Sequence, residues 1–342
     1  MKRLLPFLPG MLIASTMLFS ACGEKSTEAE SSDPSQTDRR FITFGTAPPG
    51  GAFFIVGAGI AEVLQNAGSE LEYSVSAEST RGSTENIRRL ADGELDFAMS
   101  NAAVTYFAVN GKGEWENRAQ DLRSIATMAP NVALFVSPEN GGVGTIEELR
   151  GKRVVVGPAG SGMEYFIAPI LEAHGLKYED FTPLNHSQAG AVELLQDGSA
   201  TAAFLGGAVP TASILQACAT APMNFLPYTA EARAALIKEY PFFQPATIPA
   251  GTYPGQEAGF EGLNVGSMHL ILPASASDDF AYWLTKTIYE GAAKITEKHP
   301  AGKSLNPKNV VQNVGTPFHP GAIKYYREIG IWPESATPAT NE

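Results

Sequence analysis

Two stretches of the chain repeat one order of apolar, small and polar positions. Phe41-Ile42-Thr43-Phe44 is a short β-type run that enters the segment Gly45-Thr46-Ala47-Pro48-Pro49-Gly50-Gly51, and apolar residues then recur with helical spacing at Ile55, Ile60, Val63 and Leu64. The same grammar returns at Arg153-Val154-Val155-Val156, which leads into Gly157-Pro158-Ala159-Gly160-Ser161-Gly162 and a helical stretch from Glu164 to His174 that Gly175 stops. Each unit is followed by a helix that turns at Asp-Gly into a short apolar strand. Leu90-Ala91-Asp92-Gly93 precedes Phe97-Ala98-Met99, and Leu195-Gln196-Asp197-Gly198 precedes Ala202-Ala203-Phe204. These strands open into Ser100-Asn101-Ala102-Ala103-Val104 and Leu205-Gly206-Gly207-Ala208-Val209. Such grammar recurs in many α/β proteins; its doubling within one chain predicts two α/β lobes on a common plan.

The ends follow other rules. Lys2 and Arg3 precede an apolar run from Leu4 to Phe19, interrupted by Pro6 and Pro9 and too short for a bilayer span of about 20 residues. It closes on Phe19-Ser20-Ala21-Cys22, which resembles a lipobox with Phe19 in place of the usual Leu. The expectation is a lipoprotein leader over residues 1–22, with lipid on Cys22, and the alternative is an ordinary leader cleaved nearby. Residues 23–40 and 333–342, largely polar and without apolar periodicity, are expected to be a disordered tether and tail. With Cys22 lipidated, Cys218 has no disulfide partner and reads as a small core residue.

Composition narrows the function classes. At 342 residues, 44% hydrophobic and 18% charged, the chain suits two globular lobes, and a formal charge of −12 argues against nucleic acid as partner. No Gly-Lys-Ser/Thr follows the 157–162 loop, no Gly-x-Ser-x-Gly elbow occurs, and the five histidines lack zinc-ligand spacing. The chain therefore reads as a binding protein rather than an enzyme, with no cofactor or metal called for.

In a bilobed α/β protein, loops at the carboxyl ends of strands and helix N-termini face the crevice, where free N–H groups attract anions. The 157–162 loop is the first candidate, the Thr46–Gly51 loop the second, and Ser79-Thr80-Arg81-Gly82-Ser83 the third, although this last also reads as a helix cap. Arg81 is placed to grip a carboxylate, with an ion pair to a nearby Glu as the alternative. A micromolar site needs about −8 kcal/mol, within reach of four or five charge-assisted hydrogen bonds of about 1.5–3 kcal/mol each.

Several segments together resemble the TAXI family of TRAP-transporter solute receptors. They include Phe41-Ile42-Thr43-Phe44-Gly45-Thr46, Gly82-Ser83-Thr84-Glu85-Asn86-Ile87, Leu149-Arg150-Gly151-Lys152-Arg153-Val154, the 157–162 loop, Tyr240-Pro241-Phe242-Phe243, Pro249-Ala250-Gly251-Thr252-Tyr253 and His319-Pro320-Gly321-Ala322-Ile323-Lys324-Tyr325-Tyr326. The resemblance covers most of Phe41 to Trp332. It implies a two-lobed periplasmic-binding-protein fold of type II, each lobe a mostly parallel sheet flanked by helices. Lobe one would hold 41–130 and 264–332 and lobe two 131–263. It further implies delivery of a small anionic solute, an organic acid or an acidic or amide amino acid, to an ion-driven membrane permease. The ligand positions it implies in lobe one are Thr46, Ala47, Gly51 and Phe54, then Thr80, Arg81, Gly82, Ser83 and Asn86, then Ser100 and Asn101. In lobe two they are Pro158, Ser161, Gly162, Met163 and Glu164, then Gly206 and Gly207.

The chain departs from the family pattern at Gly51-Ala52-Phe53-Phe54, where hydroxyl groups are usual, at Met163 in place of Thr, at Met99-Ser100-Asn101 in place of Gln-Ser-Asp, and at Arg81, where small or polar residues are common. These changes favour a carboxylate with a less polar body. A ligand-sensing lipoprotein with a membrane signalling partner remains an alternative, as does an enzyme on the same scaffold, for which Glu164 is the one titratable candidate. If Cys22 carries the anchor, Cys22→Ser moves the protein to the soluble fraction of a cell lysate; persistent membrane attachment rules the anchor out.

Overall fold

The computed structural model describes residues 40–48, 52–68 and 73–334. The leader with Cys22, the expected tether up to residue 39, Gly51 of the first loop and the tail beyond Glu334 lie outside them. The first sheet contains β1 (Arg40–Gly45), β2 (Tyr73–Glu78), β3 (Phe97–Asn101), β4 (Leu122–Thr127) and β12 (Met268–Pro273), in the order β2-β1-β3-β12-β4. The second contains β5 (Val132–Pro138), β6 (Arg153–Val155), β7 (Thr182–Leu184), β8 (Ala202–Gly207), β10 (Phe243–Ile248) and β11 (Phe260–Val265), in the order β10-β11-β5-β8-β6-β7, with β9 (Met223–Phe225) on β5. Helices α1 (Ala52–Gly68), α2 (Ser83–Ala91) and α3 (Ala102–Val109) follow β1, β2 and β3. Helices α4 (Glu164–Ala173), α5 (Gln188–Gln196), α6 (Ala212–Thr220) and α7 (Ala230–Glu239) belong to the stretch between β6 and β10, and α8 (Asp278–Glu290), α9 (Ala292–Lys298) and α10 (Pro320–Glu328) close the chain.

Both sheets are mixed, a refinement of the mostly parallel sheets expected. The βαβ segments give parallel pairs, β1 with β2 and β3, and β6 with β7 and β8. The strands that join the sheets enter antiparallel: β12 between β3 and β4, and β5 against β8 and β11. Each sheet has its own apolar core, and the parallel-stacked rings of Phe44 and Phe97, 4.2 Å apart, tie β1 to β3. On α1 the buried stripe is Val56, Ile60, Val63 and Leu64, while Ile55 is 37% exposed. The i, i+4, i+7, i+8 spacing from Val56 is the better phase for a 3.6-residue period. The two Asp-Gly turns adopt one geometry: Asp92 and Asp197 end α2 and α5 at φ −81° and −86°, and Gly93 and Gly198 follow at φ 74° and 73°. Only glycine takes such a left-handed position without strain.

The chain passes from the first sheet to the second between β4 and β5 and returns between β11 and β12. Side-chain amides lock these crossings. Asn264, 4% exposed, accepts from Asn131 N–H and Gly266 N–H and donates to Ser267 Oγ. Asn101 accepts from Ala103 N–H, capping α3, and donates 2.9 Å to Gly266 O. Helix α3 straddles the junction, because its Ala102 and Ala103 pack within the core of the second sheet.

Beneath α3 lies a buried polar layer in which Thr105 Oγ1 donates to Ser100 Oγ and sits 2.8 Å from His269 Nε2. Burial lowers the His269 pKa to about 3. A histidine whose folded pKa is depressed is neutral in both states above about pH 6.5. Below that the unfolded chain binds a proton that the native state refuses, so stability falls by about 1.4 kcal/mol per pH unit until the folded pKa is approached. Urea midpoints measured from pH 7 down to pH 4.5 are expected to fall less steeply for His269→Gln than for the wild type; parallel slopes would remove His269 from the acid response.

Candidate functional site

The carboxyl ends of β1, β3, β6 and β8 lead into α1, α3, α4 and α6, the side of an open α/β sheet where ligands bind. On the first-sheet side, buried side chains hold the loops by their main chain. Asn86, fully buried on α2, donates 2.7 Å to Thr46 O and 2.8 Å to Met99 O, so one carboxamide gathers the ends of β1 and β3 against the helix. Thr46 Oγ1 donates to Glu78 O, Thr80 Oγ1 donates to Thr46 O and accepts from Gly82 N–H, and Ser83 Oγ accepts from Asn101 N–H. These bonds hold the start of α2 in place, where Gly82 stands at the N-cap with φ 124° and no side-chain cap.

On the second-sheet side Gly157, Gly160 and Gly162 all have positive φ, and Ser161 Oγ reaches Met163 N–H at 3.4 Å. Helix α4 then begins with Met163 at its N-cap and no side-chain cap. Asn185 donates to Gly157 O. Gln188 donates 2.8 Å to Gly206 O, accepts from Gly206 N–H and accepts from Ser213 Oγ, which fixes the end of β8 to α5 and α6.

The two sides meet. A Cβ on Gly82 would stand 3.3 Å from Ser161 O, and one on Gly162 would stand 2.8 Å from Thr84 Oγ1 and 2.9 Å from Val104 Cγ2. Further along the seam the Tyr165 hydroxyl accepts from Glu114 N–H and its ring stacks on Trp115 at 5.1 Å, while burial pushes its pKa up to about 12. Ala208, after β8, packs against the core of the first sheet. The lobes are thus in contact, and the expected glycine loops are joined through the start of α2.

The expected ligand residues divide by what they contact. The side chains of Thr46, Thr80, Ser83, Asn86, Ser100 and Asn101 bond to the protein itself. Arg81 is engaged by Glu85: its Nε donates 2.8 Å and its N–H 3.1 Å to Glu85 Oε2, and the side chain is 77% exposed. The Arg81 bonds lower the Glu85 pKa against the opposing pull of desolvation, which is the largest single influence. Ala47 is buried near the beginning of the first loop and Phe54 half-buried in the first turn of α1. Pro158 and Met163 are half-buried, Glu164 is exposed, and Gly206 and Gly207 end β8. Sequence reasoning missed Thr84, Asn185 and Gln188. On α2 both Thr84 Oγ1 and Asn86 Oδ1 are buried without a partner. A separate cavity of about 520 Å³ opens at the N-terminal ends of β1 and β4, lined by Arg40, Asp96 and Phe280 among others. Its charges are already matched, with Arg40 4.5 Å over the Phe280 ring and Asp96 accepting from Thr43.

A model of the NMT1-like family matches residues 44–330. Among solved structures, PhnD1 from Prochlorococcus marinus in complex with methylphosphonate superposes with TM-score 0.52 at 11% identity, over 85% of this chain and 96% of that one. A protein of Bordetella bronchiseptica RB50 superposes with TM-score 0.51 at 14% identity, over 86% and 90%. The periplasmic aliphatic sulphonate binding protein SsuA from Escherichia coli gives TM-score 0.44 at 14% identity, over 86% and 84%. At such identities the likeness is one of fold, and the fold is the two-lobed periplasmic-binding-protein fold of type II.

Gly162 and Gly160 separate backbone strain from lobe contact. Both have positive φ, 88° and 71°, so alanine costs about 1 kcal/mol or more at either. Only at Gly162 does the new methyl meet the opposite lobe, since nothing lies within 4 Å of a Cβ on Gly160. Gly162→Ala is expected to enlarge the radius of gyration in X-ray scattering and Gly160→Ala to leave it unchanged. Equal radii would show that the seam tolerates a side chain.

Proposed function

This chain belongs to the NMT1-like family, and we propose that it is an extracytoplasmic solute receptor that encloses a small anionic metabolite between its lobes and passes it to a membrane transporter. The observation that carries this reading is the meeting of a glycine-bearing loop from each lobe at helix N-termini, on the carboxyl-end side of both sheets. The contact between lobes provides closure without added machinery: a ligand that binds both faces favours the closed form by its differential affinity.

Within that reading the partner is a TRAP-type permease of the kind served by TAXI receptors, supported by the segments spread from Phe41 to Trp332. The leader and Cys22 support secretion and lipid anchoring. A second reading, a receptor for phosphonates, draws on the methylphosphonate held by the Prochlorococcus protein. The receptor reading expects reversible one-to-one binding with no turnover.

Thermal unfolding of the purified protein with organic acids, amino acids and methylphosphonate tests it. A ligand that binds the native state alone stabilises it by about 2.7 kcal/mol at a hundredfold excess over Kd, so the midpoint rises with the logarithm of concentration. Native mass spectrometry should show one bound molecule, recovered unchanged after incubation. A chemically altered ligand would replace the receptor with an enzyme. A stronger response to methylphosphonate than to any carboxylate would favour the second reading.

A further inference from the structure

We propose that Tyr165 is a latch: carried on lobe two, its ring seats in the apolar core of lobe one and holds the lobes together before any solute arrives. This goes beyond the receptor reading and rests on it only in that the lobes must part to admit a guest. Tyr165 is the second residue of α4, three positions after Gly162, and is 9% exposed. It belongs to an apolar cluster whose other buried members, among them Ile87 and Leu90 of α2, Trp115, and Ile271 of β12, all come from the segments of the first sheet. Among the described residues it is the one member of that cluster contributed by the second lobe.

The seat is shaped for the ring. Helix α3 ends at Val109, and the chain turns through Gly111 and Gly113, at φ 59° and 63°, into a single 3₁₀ turn over Gly113–Trp115. Trp115 stacks on the Tyr165 ring at 5.1 Å with 28° between the planes, and the Phe107 ring lies 5.1 Å away and tilted. Glu114 N–H donates 3.2 Å to the Tyr165 hydroxyl. A Cβ on Gly113 would stand 2.6 Å from Tyr165 Cε1, so the slot admits the ring because residue 113 has no side chain. Glu114 Oε2 accepts from Arg88 of α2, and Trp115 is 2% exposed, which fixes the seat to lobe one.

Its distance from the crossings makes this contact a latch. Asn101 binds Gly266 at a crossing and caps α3, and eight helical residues then carry the chain about 12 Å away before the seat is reached. Nearer the crossing, Tyr106 and Phe107 pack on Phe242 of lobe two at 5.4 and 6.1 Å, where a hinge motion displaces less. Opening draws the start of α4 from the start of α2, so that Ser161 leaves Gly82 and Gly162 leaves Thr84. Tyr165, three residues on, leaves its seat in the same movement and uncovers Trp115. A buried ring with a stacked partner favours the closed form by more than about tenfold. The solute therefore meets a receptor that is mostly shut, and its apparent affinity is lowered by the fraction that is open.

The unliganded full-length protein tests this without any solute. Tyr165→Ala is expected to lower the closed-to-open ratio by about tenfold or more, read as a larger radius of gyration than that of the wild type in X-ray scattering. Trp115 is followed by acrylamide quenching in a Trp283→Phe/Trp332→Phe background, where it is the sole tryptophan. It should be shielded when Tyr165 is intact. Tyr165→Phe keeps the ring and loses only the bond to Glu114 N–H, and is expected to lower the ratio by about two- to tenfold, read as increased quenching. Equal radii in Tyr165→Ala and the wild type show the ring to be fixed packing and overturn the inference. Trp115 as accessible with Tyr165 intact as in urea-unfolded protein shows a receptor that rests open and overturns it too. If Tyr165→Ala does not fold, Tyr165→Phe decides, and unchanged quenching overturns the latch. Each of these results leaves the receptor reading intact, because that reading is decided by solute binding.

Discussion

Buried side-chain amides that donate to main-chain carbonyls set the geometry on which the rest depends. Asn86 donates to Thr46 O and Met99 O, Asn101 to Gly266 O, and Asn264 binds both strands of a crossing. In each case a side chain holds main chain, so the loops at the strand ends are fixed by groups lying behind them. Hydroxyls of Thr46, Thr80 and Ser83 extend the same network. An apolar replacement at Asn86 would take a donor from two carbonyls at once and leave Thr46 O to Thr80 Oγ1 alone, which is why the amide matters to the cleft.

The consequence for binding is a division of labour. Most polar side chains near the cleft bond to the protein itself, and on the proposed receptor reading the groups left for a guest are main-chain N–H donors of the loops and helix starts. Such donors are held in place before any ligand arrives, so little ordering remains to be done on binding. They are also weak individually, which makes lobe contact necessary: exclusion of water at the seam raises the strength of each dipole toward a charge.

The doubled unit was legible because β1, α1, β6 and α4 are apolar runs closed or closely followed by glycine, although the phase of α1 is set by Val56 and not by Ile55. The Asp-Gly turns after α2 and α5 were equally plain, down to shared dihedral angles. The region of β7 and α5 was not, because Pro183 and Asn185 break the strand pattern and nothing in the spacing marks Gln188 as a clamp on Gly206. Arg81 looked like a ligand group from its place before a helix; its partner Glu85 sits four residues on, and a one-dimensional reading weighs that pair and a carboxylate ligand alike. Thr84 was hidden within a recognisable motif, since only the approach of Gly162 from the far lobe shows that its hydroxyl has no protein acceptor. The mixed character of the sheets was likewise invisible, because strand direction depends on where the chain returns.

The position of β12 has a bearing on how the molecule comes into being. It lies between β3 and β4, both far upstream, so a polypeptide growing from its amino end cannot complete its first sheet until residue 273 is present. Until then β3 and β4 expose unpaired edges, and the second sheet, whose strands are contiguous in the chain from β5 to β11, is the part able to assemble alone. A late-arriving central strand keeps the amino-terminal half unfinished during synthesis, the state in which a polypeptide can still be threaded through a narrow passage.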